Sequence, residues 1–166
     1  MSAARVHHSA VCVRDLQESL RFYVDGIGLE VLMDHRFAGD WPTLFGVEAT
    51  ELRSVFLGDP RHRDAGIVEL VVFDATTSAS NSAAPAGGAG FFLLSFSVDV
   101  EETLARLGAL GVEAEGRIEQ PAPGGSVAMA TVRDPDGVLI ELVDVGEQTT
   151  PKRRPARAPR DTHRAP

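Results

Sequence analysis

The sequence predicts an α+β protein made of two tandem βαβββ modules, which form a curved mixed sheet around a cleft. One order of patterns, a strand, a helix and three further strands, occurs twice along the 166 residues. Short sequences also recur at matching places, since Val68-Glu-Leu-Val71 and Ile140-Glu-Leu-Val143 each close a module. A run of small residues separates the two copies. One copy alone cannot bury both its helix and its sheet, so the copies are expected to share a core.

The composition divides the chain into four parts. We predict a first module over residues 1–74, a flexible linker over 75–90, a second module over 91–146 and a tail over 147–166. The linker consists mainly of small residues that have nothing to bury. From Thr150 onward the tail has six basic residues, one acidic residue and several prolines, so we expect it to be disordered.

Local patterns place the elements of the first module. Alternation over Val6–Val13 indicates a strand, and Asp15 followed by Glu18 indicates a helix start with a capping box. Apolar residues at helical spacing extend this helix from Leu16 to about Asp25. Three further strands are expected, at Leu29–Arg36, Leu52–Leu57 and Gly66–Phe73.

The second module repeats these patterns. Phe91–Val98 indicates a strand, Asp99 with Glu102 repeats the capping box, and the helix that follows is expected to end at Gly111. The last three strands are expected at Val112–Ile118, Ser126–Val132 and Val138–Val143.

Composition and charge favour a soluble cytoplasmic protein whose partner is a small molecule. Cys12 is the single cysteine and cannot form an internal disulfide, and the N-terminus lacks a signal-peptide pattern. No apolar stretch approaches the roughly 20 residues that cross a bilayer. Before Thr150 there are ten basic and 23 acidic residues. This acidic body repels nucleic acid and anionic membranes, so neither is an expected partner.

The two faces of the first strand differ in character. His8, Ala10 and Cys12 lie on one face, whereas Val11 and Val13 lie on the other. The bulky face is expected to pack against the helices. The small and polar face is expected to line a pocket.

Two glutamates occupy unusual positions in the closing strands. Glu69 and Glu141 each have apolar residues two positions before and after them, which points both carboxylates toward an enclosed face. A buried carboxylate is costly unless it is paired, hydrogen-bonded or bound to a cation, and neither strand has Lys or Arg at the same parity. One His and two Glu suit Zn²⁺, Mn²⁺, Fe²⁺ or Ni²⁺. If either strand is an edge facing water, its glutamate is instead a solubilising charge.

Several motifs of the chain carry a family resemblance. The first module contains His8-Ser-Ala-Val-Cys-Val-Arg-Asp-Leu16, Leu20-Arg-Phe-Tyr23 and Gly28-Leu-Glu30, and the second contains Asp134-Pro-Asp-Gly-Val-Leu-Ile-Glu-Leu142. In this order, with a repeat between them, they resemble the vicinal-oxygen-chelate superfamily. That superfamily includes glyoxalase I, methylmalonyl-CoA epimerase, extradiol dioxygenases and bleomycin-resistance proteins. The resemblance covers about Val6 to Val145 and implies a glyoxalase-like fold.

The resemblance implies metal ligands on the first and last strands of each module. Carried over by position, these are His8, Glu69 and Glu141, whereas the fourth position holds Leu93 in place of the usual His. The His-His-Glu set of an extradiol dioxygenase is therefore absent. A three-ligand site would leave room for a substrate with two neighbouring oxygens, whose enolate or oxyanion the metal stabilises. Glu141 is the expected general base.

Two functions remain open at this point. One is a metal-dependent isomerase, epimerase or lyase that acts on a small oxygenated metabolite, supported by His8, Glu69 and Glu141. The other is a metal-free binding protein that sequesters a drug-like compound, as bleomycin-resistance relatives do. Leu93 supports this second function, and so does the acidic body, which would attract a cationic ligand.

The remaining expectations concern the substrate and the assembly. Trp41 and Phe45 would suit an aromatic ligand, although they would equally plug the end of a small core. Arg53 could bind a carboxylate. The resemblance also implies a homodimer, because related proteins often complete their clefts by pairing modules across subunits.

Overall fold

The fold is taken from a computed structural model, which describes residues 6–63, 65–74, 90–122 and 125–144. Nearly all of the expected linker and the whole of the expected tail lie outside the described residues, so both stay predictions. None of the described helices is long and apolar enough to span a membrane.

The strands of the described residues form two four-stranded sheets, one from each copy of the repeat. The first contains β1 (His8–Cys12), β2 (Glu30–Ala38), β3 (Glu51–Gly58) and β4 (Ile67–Phe73) in the order β1-β4-β3-β2. The second contains β5 (Leu94–Ser97), β6 (Gly116–Ala122), β7 (Gly125–Arg133) and β8 (Leu139–Val143) in the order β5-β8-β7-β6. In each sheet the first strand is parallel to the last and the other pairs are antiparallel. This confirms the predicted α+β fold of two βαβββ modules. Within the described part of the chain, each module forms its own four-stranded sheet.

The helices begin where the sequence indicates, but the first one changes character. α1 (Leu16–Leu20) continues as a π-helical segment (Arg21–Ile27), and the other helices are α2 (Trp41–Phe45) and α3 (Val100–Ala109). The Asp15 carboxylate accepts hydrogen bonds from two amides at the start of α1, and Asp99 does the same for one amide of α3. The hydrogen bonds of a π-helix join residues five apart, and the buried residues of this segment are Phe22, Tyr23, Gly26 and Ile27.

α1, the π-helical segment and α3 pack against each other and against the inner faces of both sheets, and this central layer holds the shared core. The core cluster contains residues of both modules, including Leu70, Leu107 and Ile140, each fully buried. The helices meet closely at Gly26, where an added Cβ would lie 2.5 Å from Leu107 Cδ2. Arg106 of α3 donates to the carbonyls of Gly26 and Ile27 at the end of the π-helical segment. The prediction of a core common to both copies is confirmed.

Polar contacts also join the modules. The Tyr23 hydroxyl donates to Asp134 Oδ2 at 2.8 Å, and both residues are buried. Burial raises the pKa of Tyr23 far above its usual range, so the hydroxyl stays a donor at any physiological pH. Burial also raises the pKa of Asp134, although hydrogen bonds from Tyr23 and two backbone amides oppose this effect. The Asp134-Pro-Asp-Gly137 turn thus ties the second module to the first.

Two elements differ from the predicted ones. β6 begins at Gly116 and includes Pro121, whereas Val112 closes the end of α3 by donating to the Leu107 carbonyl. Proline is tolerated there because β6 is an edge strand of its sheet. The segment Trp41–Phe45, between the second and third expected strands, is a short helix that the sequence did not predict, and the Asp40 carboxylate caps it.

Candidate functional site

Each sheet has an outer face, which we define as the face turned away from the central layer. In the first sheet Val11 and Val13 point into the core, so His8, Ala10 and Cys12 lie on the outer face. This confirms the predicted difference between the two faces of β1.

Glu69 lies near the centre of the first outer face and is bound through both oxygens. The register places Ala10 beside Glu69, and the His8 ring reaches Glu69 from two residues earlier in β1. His8 Nε2 lies 3.0 Å from Glu69 Oε2, and the Ser54 hydroxyl donates to Oε1 at 2.5 Å. Glu69 is 9% exposed and Ser54 is 1% exposed. Glu69 is therefore not a solubilising charge facing water, and its burial is balanced by an imidazole and a hydroxyl.

The second outer face repeats the carboxylate but not its surroundings. The Ser95 hydroxyl donates to Glu141 Oε2 at 2.6 Å, and the register places these two residues side by side. Glu141 is half-buried, while its neighbours Ile140 and Leu142 are fully buried in the core.

The pairing register supports the equivalence of His8 and Leu93. Ala10 pairs with Glu69 just as Ser95 pairs with Glu141, and His8 and Leu93 each precede that position by two residues. Leu93 is half-buried and has no atom that can bind a metal. The second module therefore keeps the carboxylate of the first without its histidine.

The predicted ligands do not meet within one chain. Among the described residues, no three His, Cys, Asp or Glu side chains lie close enough to bind a single metal ion. His8 and Glu69 are together on the first outer face, whereas Glu141 belongs to the second. The structure thus brings two of the three predicted ligands together and leaves the third on the other sheet.

His8 and Glu69 fit two ligands of a divalent transition metal. Bonds of about 2.0–2.2 Å place neighbouring ligands of a tetrahedral ion roughly 3.3 Å apart. The Nε2 and Oε2 atoms are 3.0 Å apart, so a small outward shift would admit the ion. Imidazole nitrogen with carboxylate oxygen is a donor set that suits zinc, nickel, iron or manganese.

Trp41 and Phe45 form an aromatic end to the first outer face. Their rings stack at 5.6 Å with an interplanar angle of 9°, and the Phe45 ring contacts Phe73 edge-on at 6.4 Å. Phe73 and Glu69 are four residues apart on β4 and therefore point to the same face. Because Phe45 contacts Phe73, α2 lies over the far end of that face. Phe45 is 55% exposed, whereas the Trp41 Nε1 atom is buried without a hydrogen-bond partner among the described residues. Phe45 is thus open to a ligand, while Trp41 serves mainly as its support.

Arg53 does not face the candidate site. It follows Leu52 and precedes Ser54 on β3, both of which lie on the outer face, so its side chain points the other way. Its guanidinium binds both carboxylate oxygens of Asp34, at 2.9 and 2.6 Å. The hydrogen bond from Arg53 lowers the pKa of Asp34. The structure therefore places the expected carboxylate-binding arginine away from His8 and Glu69.

Sequence reasoning missed three residues of the first outer face. Ser54 binds Glu69, Phe56 packs edge-on against the His8 ring at 5.5 Å, and His35 lies opposite Ser54 on β2. Alternation along β3 predicts that Leu52, Ser54 and Phe56 share one face. Only the register of β3 with β4 shows what these side chains contact.

A cavity of about 250 Å³ lies beside α2, away from this site. It is lined by Pro42, Glu48, Ala49, Thr50 and Asp74, which include none of the candidate residues. Asp74 there accepts hydrogen bonds from the Thr50 hydroxyl and two backbone amides, so this carboxylate is already satisfied.

The two βαβββ modules with a glutamate on each closing strand define a class of proteins built by duplication of one module, and comparisons with known proteins identify the family. Residues 5–142 match the family model of the Glyoxalase/Bleomycin resistance protein/Dioxygenase superfamily. The chain is 37% identical over 145 residues to the lactoylglutathione lyase-like protein terB of Aspergillus terreus, which covers 83% of this chain and 74% of that protein. The chain belongs to this superfamily.

Other relatives agree with this assignment. The chain is 28% identical to the lactoylglutathione lyase of Schizosaccharomyces pombe over 92% of its own length, but it spans about half, 51%, of that protein. A glyoxalase family protein from Bacillus cereus has the same fold, with a TM-score of 0.73 at 24% identity, over 87% of this chain and 95% of that one. The trypanothione-dependent glyoxalase I of Leishmania major has a TM-score of 0.58 at 26% identity, over 86% and 87% of the two chains.

Proposed function

We propose that the protein is a metal-dependent lyase of the glyoxalase type, which acts on a small metabolite with two neighbouring oxygens. The observation that carries this proposal is the His8–Glu69 contact on an enclosed face, with Glu141 at the matching position of the second module. The similarity to lactoylglutathione lyase-like proteins supports a lyase over the other reactions of the superfamily.

The proposed site is shared between two copies of the chain. His8 and Glu69 of one copy would meet Glu141 of a second copy, because one chain keeps them on different outer faces. Within the described residues, β1 and β5 each have one edge without a strand partner, and such edges are open to pairing. Phe91 and Phe92, just before β5, are 64% and 58% exposed and would be covered in a dimer.

Each side chain has a distinct task in this site. His8 and Glu69 of one copy, with Glu141 of the other, would hold a divalent ion, which would supply polarisation of the substrate oxygens. Glu141 would also accept the proton from the carbon beside a substrate carbonyl and return it to the neighbouring carbon atom. Ser95 orients the Glu141 carboxylate through its hydrogen bond. Leu93 excludes water and leaves that side of the site to the substrate.

Metal analysis of mixed dimers tests both the metal and the shared site. His8→Ala and Glu141→Ala, with different affinity tags, are purified alone and as co-expressed heterodimers. We expect about one ion per chain in the wild type, little in either variant alone, and about one per two chains in the heterodimer, which keeps one intact site.

His62→Ala is the control for loss of an imidazole, because the His62 ring is exposed and, among the described residues, its ring hydrogen-bonds to Asp59 alone. If the heterodimer stays metal-free while the wild type binds metal, the shared site is disproved. If the wild type takes up no Zn²⁺, Mn²⁺, Ni²⁺ or Fe²⁺ during dialysis, the metal-dependent function is disproved.

A second candidate function is metal-free ligand binding. Leu93 at the fourth ligand position favours it, together with the aromatic side chains Phe56 and Phe73 along the first outer face. A compound that raises the Tm of metal-free protein, equally in wild type and His8→Ala, and is recovered unchanged would support this function over the lyase.

A further inference from the structure

We propose that Ser54 is a positioning residue that fixes the orientation of the Glu69 carboxylate. The Ser54 hydroxyl donates a hydrogen bond to Glu69 Oε1. The other carboxylate oxygen, Oε2, is therefore the one that faces His8 and any ion bound beside it. The part of this inference that concerns the ion rests on the proposed function, whereas the part that concerns the His8–Glu69 contact does not.

The position of Ser54 in the sheet gives it this role. Phe56 pairs with Glu69 and Ser54 pairs with Val71, so Ser54 lies diagonally from Glu69 on the same face. The hydroxyl reaches Oε1 at 2.5 Å, and no other described residue donates to that oxygen. Ser54 is 1% exposed, so water cannot readily replace the hydroxyl. Without it, Oε1 would be a buried acceptor and the carboxylate would be free to rotate.

A carboxylate with one oxygen occupied binds a metal through the other oxygen alone. Ser54 therefore makes Glu69 a one-oxygen ligand of defined direction, which leaves more of the coordination sphere for the substrate. Side chains that orient ligands in this way typically contribute 10- to 100-fold to metal affinity.

The second module shows what a looser arrangement looks like. Ser95 also donates to a glutamate, but it is exposed and belongs to the strand directly beside Glu141. Among the described residues no histidine contacts Glu141, which is half-buried. The buried serine is thus particular to the module that has the histidine, as expected if Ser54 serves the His8–Glu69 pair.

The first test measures metal affinity and coordination. Ser54→Ala, Ser54→Thr and the control Ser126→Ala, which removes an exposed hydroxyl on β7, are titrated with Zn²⁺ against a coloured chelator. We expect Kd to rise roughly 10- to 100-fold in Ser54→Ala and to change little in Ser54→Thr, which keeps the hydroxyl. In Co²⁺-loaded Ser54→Ala, binding through both carboxylate oxygens would raise the coordination number and weaken the visible absorption.

The second test uses metal-free protein and reads the His8 tautomer. A carboxylate only accepts, so in the wild type the proton must reside on Nε2 of His8, which long-range ¹⁵N–¹H NMR detects. In Ser54→Ala we expect His8 to lose its preference for the Nε2–H tautomer. In Ser54→Thr we expect His8 to keep that preference.

The two tests separate failure of the inference from failure of the function. If the wild type binds metal but Ser54→Ala changes neither Kd, nor the Co²⁺ spectrum, nor the tautomer, the role of Ser54 is overturned and the function stands. If the wild type binds no metal, the metal-dependent function falls, and the tautomer measurement alone decides whether Ser54 positions Glu69.

Discussion

The two outer faces carry the same carboxylate in different surroundings. On the first face Glu69 is almost fully buried, contacts His8 and accepts a hydrogen bond from a buried serine. On the second face Glu141 is half-buried and accepts a hydrogen bond from an exposed serine, and a leucine replaces the histidine. A fixed carboxylate suits a permanent ligand, while a less constrained one suits a group that moves protons. Under the proposed function, the duplicated halves would therefore divide the work of one site.

The largest expected effect comes from exchanging each carboxylate for an amide. Glu141→Gln should lower turnover by roughly 10²–10⁴-fold, the usual contribution of a general base, while metal binding weakens less than in Glu141→Ala, because the amide keeps an oxygen that can bind the ion. Glu69→Gln should instead lose the metal, because an amide is a poorer ligand at a fixed position. Both variants are assayed for bound metal and for turnover of a substrate found by screening 2-oxo acids, 2-hydroxy acids and thioesters such as lactoylglutathione. Full turnover by a metal-loaded Glu141→Gln would remove Glu141 from the mechanism.

An intermediate effect is expected when the second module receives the missing histidine. Leu93→His should complete a four-ligand site and tighten Zn²⁺ binding by at least about tenfold, since each further ligand adds to affinity. It should also slow turnover, because the added imidazole occupies a position meant for the substrate. Leu93→Phe, which adds a ring without a metal-binding atom, is the control. Equal Zn²⁺ affinity in the wild type and Leu93→His would show that Leu93 does not face the ion.

The smallest expected effect concerns the helix packing in the central layer between the two sheets. Gly26→Ala places a Cβ 2.5 Å from Leu107 Cδ2 and should lower the free energy of unfolding by about 1–3 kcal/mol. The matched control is Gly108→Ala on α3, where nothing lies within 4 Å of the added Cβ. That variant should gain up to about 1 kcal/mol from helix propensity. Urea unfolding measures both changes, and equal stability of the two variants would mean that the helices do not meet closely at Gly26.

The sequence predicts the elements and their faces well because side-chain alternation is a local property. The burial of Val11 and the outward position of His8 follow from the pattern of β1 alone, and Asp15 and Asp99 mark the starts of two helices. Alternation also placed Glu69 on an enclosed face.

Other features depend on relations that no local pattern contains. The role of Ser54 follows from the register between β3 and β4, and the burial of its hydroxyl cannot be read from β3 alone. The separation of Glu141 from His8 follows from which sheet faces the helices cover. Arg53 is a residue of suitable chemistry, but one position along the strand decides its face, and Asp34 already occupies its guanidinium.

The link between Tyr23 and Asp134 has a consequence for how the chain folds. The two residues are 111 positions apart, and Arg14 binds Asp136 across 122 positions, so both contacts close very long loops. During synthesis the first module is complete long before Asp134 emerges, and its Tyr23 hydroxyl has no acceptor until then. Contacts between residues so far apart in sequence slow folding. The central layer can become complete only after the turn before the last strand has formed. A chain that ends before this turn leaves a buried phenol unsatisfied and should not reach the native state.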